Sequence, residues 1–357
     1  MTVDPHFIGT QAQLARSIRY IELAQTIAPH IFSPPHPTSP TTSPTTNTIQ
    51  ITKQQHSTPR MPPLPLRLLT PLLHFSARAF FSAFRALPAR FRMRTYDLLR
   101  KLGDLLYGVP DPTYYVRRLP FGLYLKYRSE ADLARNEFHA LARIRRETSI
   151  PAPVPLDLIA DEEEDNAYLL MTRLPGHPLG RCEELFSDED CEGIVGELRE
   201  CVAQLRALPR AGTENPHMVI CNTLGGACRE HRIREAAPVG PFADEAAFSR
   251  LLRFGEDPAR RGHRVVFTHA DLSARNVLVE RVVGRGDGEG GWRVSGIVDW
   301  ETAGYYPEYW DYTKALFGVG RWRRRYVGMV HRVFAAFGDY SRELEVERRS
   351  WELGDGV

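Results

Sequence analysis

Two short strings hold the residue types that could do chemistry. Phe267-Thr-His-Ala-Asp-Leu-Ser-Ala-Arg-Asn-Val-Leu-Val279 sets His269, Asp271 and Asn276 in an H-x-D-x-x-x-x-N array. Gly296-Ile-Val-Asp-Trp-Glu301 places Asp299 at the end of an apolar strand. Asp271 and Asn276 sit in a loop that follows a strand, so both can face one pocket. A carboxylate beside an acceptor hydroxyl orients it and takes its proton late in a displacement. The amide oxygen of Asn276 is a hard ligand suited to magnesium, and Asp299 adds a charged one. Phosphoryl transfer asks a protein for alignment and charge neutralisation more than for covalent chemistry, and this trio supplies both. His269 reads as a brace for the loop, not as a base. Asp and Asn are common in turns for other reasons. The apolar strand that ends on Asp299, after a hairpin, argues against a chance array.

A second pair lies upstream. Leu133, Leu141 and Ile144 form one stripe of a helix, and Glu137 falls on that stripe. A carboxylate facing a core needs a partner. Lys126, at the end of the preceding strand, is the obvious one. Such a pair can hold a lysine against the α- and β-phosphates of a nucleotide. The plainer alternative is a salt bridge at a domain surface.

The elements that must position these groups are legible around them. Residues 113–127 read as two strands about a turn at 120–122. Ser129 is expected to open the next helix, with Asp132 as its capping-box partner, and Pro151 forbids continuation much beyond Glu147. Residues 157–160 and 167–172 form the next strand pair, and the break at 174–178 marks a boundary. Ser187 opens a long helix whose apolar positions Ile194, Leu198, Val202, Leu205 and Leu208 recur at three and four residues, before Pro209. Short strands are expected at 265–268, 277–280 and 293–298. The Gly-rich run 284–291 lacks P-loop spacing and reads as a hairpin loop. From Glu308 on, two or three helices follow.

Composition narrows the class. Residues 1–100 carry eleven Arg/Lys and three Asp/Glu, whereas the remainder carries 35 basic and 41 acidic groups. The part expected to fold is therefore mildly acidic, which argues against a nucleic-acid partner and is compatible with a cationic small molecule. The five cysteines are odd in number and form no C-x-x-C pair, so reduced thiols fit better than a disulfide framework or zinc site. No apolar run approaches a membrane-spanning length. Residues 33–66 are a Pro/Ser/Thr-rich linker expected to be disordered. Residues 72–88 have the pattern of a basic amphipathic helix. Such a helix can touch a membrane peripherally or resemble an organelle-targeting peptide; the plainer readings are packing on the folded core or a poorly ordered extension. A cytoplasmic location is expected, with mitochondrial or membrane-peripheral as the alternatives.

The strings His-Ala-Asp-Leu-Ser-Ala-Arg-Asn-Val-Leu-Val and Ile-Val-Asp-Trp-Glu, with Trp310-Asp311 after Tyr306-Pro-Glu-Tyr, resemble the aminoglycoside phosphotransferase and choline kinase-like family. The resemblance covers about residues 113–315. It implies an α+β, two-lobed protein-kinase-like fold, with a small β-rich N-lobe at 95–175 and a mainly helical C-lobe at 176–357. Residues 1–94 would be a disordered or accessory extension. It implies an enzyme that moves the γ-phosphoryl of ATP, or of GTP, to an alcohol group of a small molecule with Mg2+. Asp271 would be the base, Asn276 and Asp299 the metal ligands, Lys126 the phosphate anchor and Glu137 its partner. Backbone groups of Met171, Thr172, Arg173 and Leu174 would meet the purine. Glu301, Glu308 and Asp311 are available to a cationic acceptor, though Asp311 can equally serve as turn support. Two alternatives stay open. The turn that should cover the nucleotide, around Leu119-Pro-Phe-Gly122, is short with one glycine, which fits a nucleotide-binding pseudokinase acting through partners. A protein kinase fits less well, because Ala270 stands where such kinases have an arginine and no long activation segment follows Asp299.

Overall fold

Side-chain alternation along one strand explains how the smaller lobe is built. Strand β4 (Asn166–Thr172) is buried at every interior position, which a strand achieves only when both sheet faces are covered. It lies in a four-stranded antiparallel sheet with β1 (Val116–Leu119), β2 (Leu123–Ser129) and β3 (Pro155–Asp161), in the order β1-β2-β4-β3. Leu169 and Met171 join the main core with Ala140, Leu141 and Ile144 of helix α2 (Ala131–Glu147). Tyr168 and Leu170 point the other way, toward Tyr96 of helix α1 (Ala89–Tyr107). The computed structural model describes residues 81–109, 115–161, 166–210, 217–230, 232–233, 237–282, 290–317 and 323–353. The linker at 33–66, the first part of the 72–88 pattern and most of the Gly-rich loop at 284–291 lie outside them.

Helix α1 runs across residue 95, where the folded part was expected to begin. Two features seat it. A Cβ on Gly103 would lie 2.2 Å from the Arg118 carbonyl oxygen, so only glycine lets the helix approach β1 this closely. Asp157 of β3 accepts from the Tyr96 hydroxyl at 2.5 Å and pairs with Arg92. Burial, then the Asp157 contact, raises the Tyr96 phenol well above its ordinary value. Removing the carboxylate leaves a partly buried guanidinium and a buried hydroxyl without this partner. Asp157→Ala should therefore lower unfolding free energy by about 3 kcal/mol. Urea denaturation checks this, and a loss under about 1 kcal/mol would show that α1 is held by its apolar face alone.

The helix expected to open at Ser129 begins at Ala131 instead. Strand β2 runs through Ser129, Glu130 precedes α2 without a side-chain cap, and Asp132 Oδ1 accepts from the adjacent Leu133 N–H at 2.8 Å. Pairing of Ser129 with Ala167 of β4 extends the strand to this residue and moves the helix start on.

In the larger lobe the short strand β5 (His177–Pro178) and one-turn helix α3 (Leu179–Cys182) lead into α4 (Asp188–Ala207). Ser187 and Asp190 cap α4 reciprocally, at 3.1 and 2.9 Å. Ile194, Leu198, Val202 and Leu205 all enter the core. Two small antiparallel sheets follow. One joins β6 (Cys221–Asn222), β10 (Gly304–Pro307) and β7 (Val265–Thr268); the other joins β5, β8 (Val277–Arg281) and β9 (Trp292–Ile297). Helices α5 (Glu245–Ser249), α6 (Trp310–Ala315), α7 (Arg324–Phe334) and α8 (Ser341–Glu352) complete the lobe. The five cysteines are free and buried, and burial pushes the thiols of Cys201 and Cys228 up to about 12.

His263, just before β7, ties two of these helices together. Its Nδ1 is 2.6 Å from Glu245 Oε1 of α5, and its Nε2 is 3.1 Å from Glu343 Oε1 of α8. Burial alone would lower its pKa, but the two carboxylates outweigh burial and raise it to about 9. A raised folded-state pKa stabilises fully below the unfolded value near 6.5 and is lost as pH climbs through about 9. The stability gap between the wild type and His263→Gln, on the order of 1–3 kcal/mol at pH 6, should close between pH 6.5 and 9.5. Thermal melts across that range test it; a gap that widens with pH would contradict it.

Candidate active site

Strand alternation also aims the lysine. Leu125 faces α1, so Lys126 faces α2 and the main core, and it is almost fully buried. Glu137 projects from the inner stripe of α2, and Asp299 follows β9 at a left-handed φ of 70° that turns its carboxylate inward. Lys126 Nζ lies 2.9 Å from Glu137 Oε2 and 2.8 Å from Asp299 Oδ1, and it also donates to Glu301. One ammonium thus faces three carboxylates. Burial opposes the charge on Lys126, yet Asp299, Glu137 and Glu301 together raise its pKa well above the ordinary value. Burial also opposes ionisation of Asp299, but Lys126 outweighs it and holds the carboxyl at about 2. Glu137 carries the cost of the crowding. Its burial pushes its pKa up, and the Asp299 and Glu301 charges add to the rise against the pull of Lys126.

The H-x-D-x-x-x-x-N loop lies beside this cluster because β8 and β9 pair. Val277 is opposite Ile297, and the Val298 N–H donates to the Asn276 carbonyl at 2.9 Å. The loop is braced from three sides. His269 Nε2 meets the Val298 carbonyl at 3.0 Å, while its Nδ1 accepts from the Asp271 N–H at 3.1 Å. These partners select the neutral Nε2–H tautomer and leave His269 no proton-accepting role. Asp311, on the first turn of α6, accepts from the backbone N–H groups of His269 and Ala270 at 3.2 and 2.7 Å. Asn276 Nδ2 donates to both the carbonyl and Oδ2 of Asp271 at 2.9 Å. Asp271 itself is buried, and Arg275 donates to its Oδ2 at 2.8 Å.

A profile of the phosphotransferase enzyme family (APH) matches residues 76–346, most of the chain and all of the residues above. The chain belongs to the phosphotransferase enzyme family. Its two lobes form the protein-kinase-like α+β fold of that family. Among curated proteins no relative matches. Solved structures with a similar course of chain are distant. Aminoglycoside 2'-phosphotransferase-IIIa bound to GDP is 15% identical, with 71% of this chain and 86% of that one covered and a TM-score of 0.47. APH(3'')-Id from Streptomyces rimosus, solved with ADP and streptomycin, is 20% identical over 72% and 98% of the two chains, with a TM-score of 0.42. APH(4)-Ia is 13% identical over 67% and 79%, with a TM-score of 0.43. Likenesses this remote do not bear on the substrate.

Within this phosphotransferase, several side chains take places that spacing alone did not give them. Asp311 is not open to a substrate; it is buried under the loop whose backbone it holds. Glu308 is taken by Arg264 at 2.8 Å and Arg206 at 3.7 Å. Glu301 joins the lysine cluster. In the segment 171–174, the Thr172 N–H donates to the Val154 carbonyl at 3.0 Å and the Arg173 N–H to the Gly122 carbonyl at 2.8 Å. Those two donors are already engaged, and the Leu174 side chain packs over Gly296, where a Cβ would lie 2.2 Å from its Cδ1. Sequence reasoning passed over Arg275 and Lys314. Arg275 was findable, four residues after Asp271. Lys314 was not, because only the fold brings its Nζ to 4.0 Å from Asp271 Oδ1, where it also binds the buried Glu230.

Proposed function

We propose that this phosphotransferase moves the γ-phosphoryl group of a magnesium-bound nucleoside triphosphate, ATP or GTP, to a hydroxyl of a small molecule. The observation that carries the reading is the lysine cluster placed beside the Asp271–Asn276 loop. The oxygens of Glu137, Asp299 and Glu301 come within 4.8 Å of one another around a single ammonium. An all-oxygen set with more negative than positive charge suits a hard divalent cation, and the single ammonium suits the phosphates that such a cation would carry. Asp299 and the amide oxygen of Asn276 would hold the ion. Bound there, Mg2+ would neutralise charge on the phosphates. Lys126 would turn from Asp299 and Glu301 toward the phosphates, with Glu137 keeping it in place. Asp271 would orient the acceptor hydroxyl and take its proton, its carboxylate already fixed by Asn276. Asp311 and His269 would keep the loop backbone from relaxing.

A second reading has its own observation. The turn between β1 and β2 is only Pro120–Gly122, and Phe121 holds a left-handed φ of 65° where a glycine would offer a freer backbone. So short a turn supplies few N–H groups to phosphates, which favours a pseudokinase that binds nucleotide without turnover. Isothermal titration with Mg-ATP and Mg-GTP, beside a radiolabelled transfer screen over small alcohols, amino sugars and choline analogues, separates the two. Labelled product supports the enzyme. Nucleotide binding with no transfer and no hydrolysis supports the pseudokinase, and no binding at all removes both.

A further inference from the structure

Helix α1 has two apolar faces, and the sheet uses one of them. Tyr96 and Gly103 are buried against the sheet, with Met93 and Leu99 packed beside them. On the opposite side Phe91, Leu98, Leu102 and Leu105 are 59%, 66%, 42% and 82% exposed. Their spacing of seven, four and three residues makes them one continuous stripe along the helix. Exposed Arg90, Arg94 and Lys101 border one edge of it. Asp104 faces Arg100 and Arg117 at 3.3 and 3.6 Å, and Asp97, at the outer margin of the basic row, faces Arg100 at 3.7 Å with its side chain 44% exposed. Upstream, the sequence contains no Asp or Glu between Glu22 and Asp97.

We propose that the outer face of α1 docks the protein on an anionic lipid surface. A continuous apolar stripe of four exposed side chains marks a contact site. Its form and charge choose the partner. The stripe is a ridge on a convex helix rather than a groove, so it suits a fluid surface into which side chains can sink. The charge along its edge is net positive, three cations beside Asp97, and complementary to acidic headgroups. Arg and Lys stems can lie along the apolar boundary while their heads stay in the headgroup layer. The helix would lie flat, since among the described residues none is long and apolar enough to cross a membrane. Docking uses the side of α1 away from the sheet, so it leaves Lys126 and its three carboxylates untouched.

The test is co-sedimentation of the full chain with phosphatidylcholine vesicles, alone and with about 30% phosphatidylserine. Binding should rise about tenfold with the anionic lipid and fall as salt is raised. Leu98→Glu/Leu105→Glu should abolish that gain with no change in melting temperature, because both side chains point outward. Arg94→Glu/Lys101→Glu should remove the salt-sensitive part. Equal binding to both vesicle types, or a Leu98→Glu/Leu105→Glu variant that binds like the wild type, overturns the proposal. So does a concentration-dependent dimer in sedimentation velocity that the leucine variant breaks without vesicle binding, which would give the face to a second copy.

Discussion

Asp271→Asn should cut kcat by about 10^3-fold while leaving Mg-nucleotide affinity within a factor of about three. The carboxylate is held by the Asn276 amide at 2.9 Å and by Arg275 at 2.8 Å, both on Oδ2. An asparagine keeps the size and can keep its oxygen toward those two donors, so the loop should survive. What it loses is the ability to take a proton. The binding cluster around Lys126 does not include Asp271 among its partners, so nucleotide should still bind. Steady-state transfer to whichever acceptor the screen returns, with titration calorimetry on the same variant, measures both quantities. A variant keeping more than about a tenth of wild-type kcat would remove Asp271 from the role of base.

Asp299→Asn should do the reverse of this at the binding step. Mg-nucleotide affinity should fall about 10- to 100-fold, well beyond any change in Asp271→Asn. Asp299 is strongly ionised, held at about 2 by Lys126 against the cost of burial. Replacing it removes a full charge from the place where a divalent ion would sit. The lysine keeps Glu137 and Glu301, so the cluster itself should hold together. Calorimetry on the wild type and both variants, with and without Mg2+, decides the matter. Equal losses in the two variants would mean that the roles are not divided as proposed, and an Asp299→Asn loss that persists without Mg2+ would mean that the carboxylate serves something other than the ion.

The local signals were easy to read where a short stretch of chain decides the outcome. Ser187 and Asp190 cap α4 because both partners lie within one turn. Lys126 and Glu137 meet because the end of a strand and the inner stripe of the helix that follows it converge in any compact arrangement. The same local logic misplaced the start of the next helix, because pairing with Ala167 of β4 draws Ser129 into a strand and the helix begins at Ala131. At Asp311 the local reading left two roles open, substrate contact or turn support, and the loop backbone that it holds favours the second.

Residue types and their spacing alone determined which groups are equipped for chemistry here: an oxygen-rich set with one lysine, and a loop with a fixed interval between its acid and its amide. Those features are chemical, and a chain carries them whether or not it is folded. Tertiary structure alone decided which groups share a charge and which faces stay open. It gave Lys126 three carboxylates, set Lys314 near Asp271, and left the leucines of α1 outward. Electrostatic coupling and burial depend on distance in space, and distances between residues far apart in the chain are set only when the whole core packs.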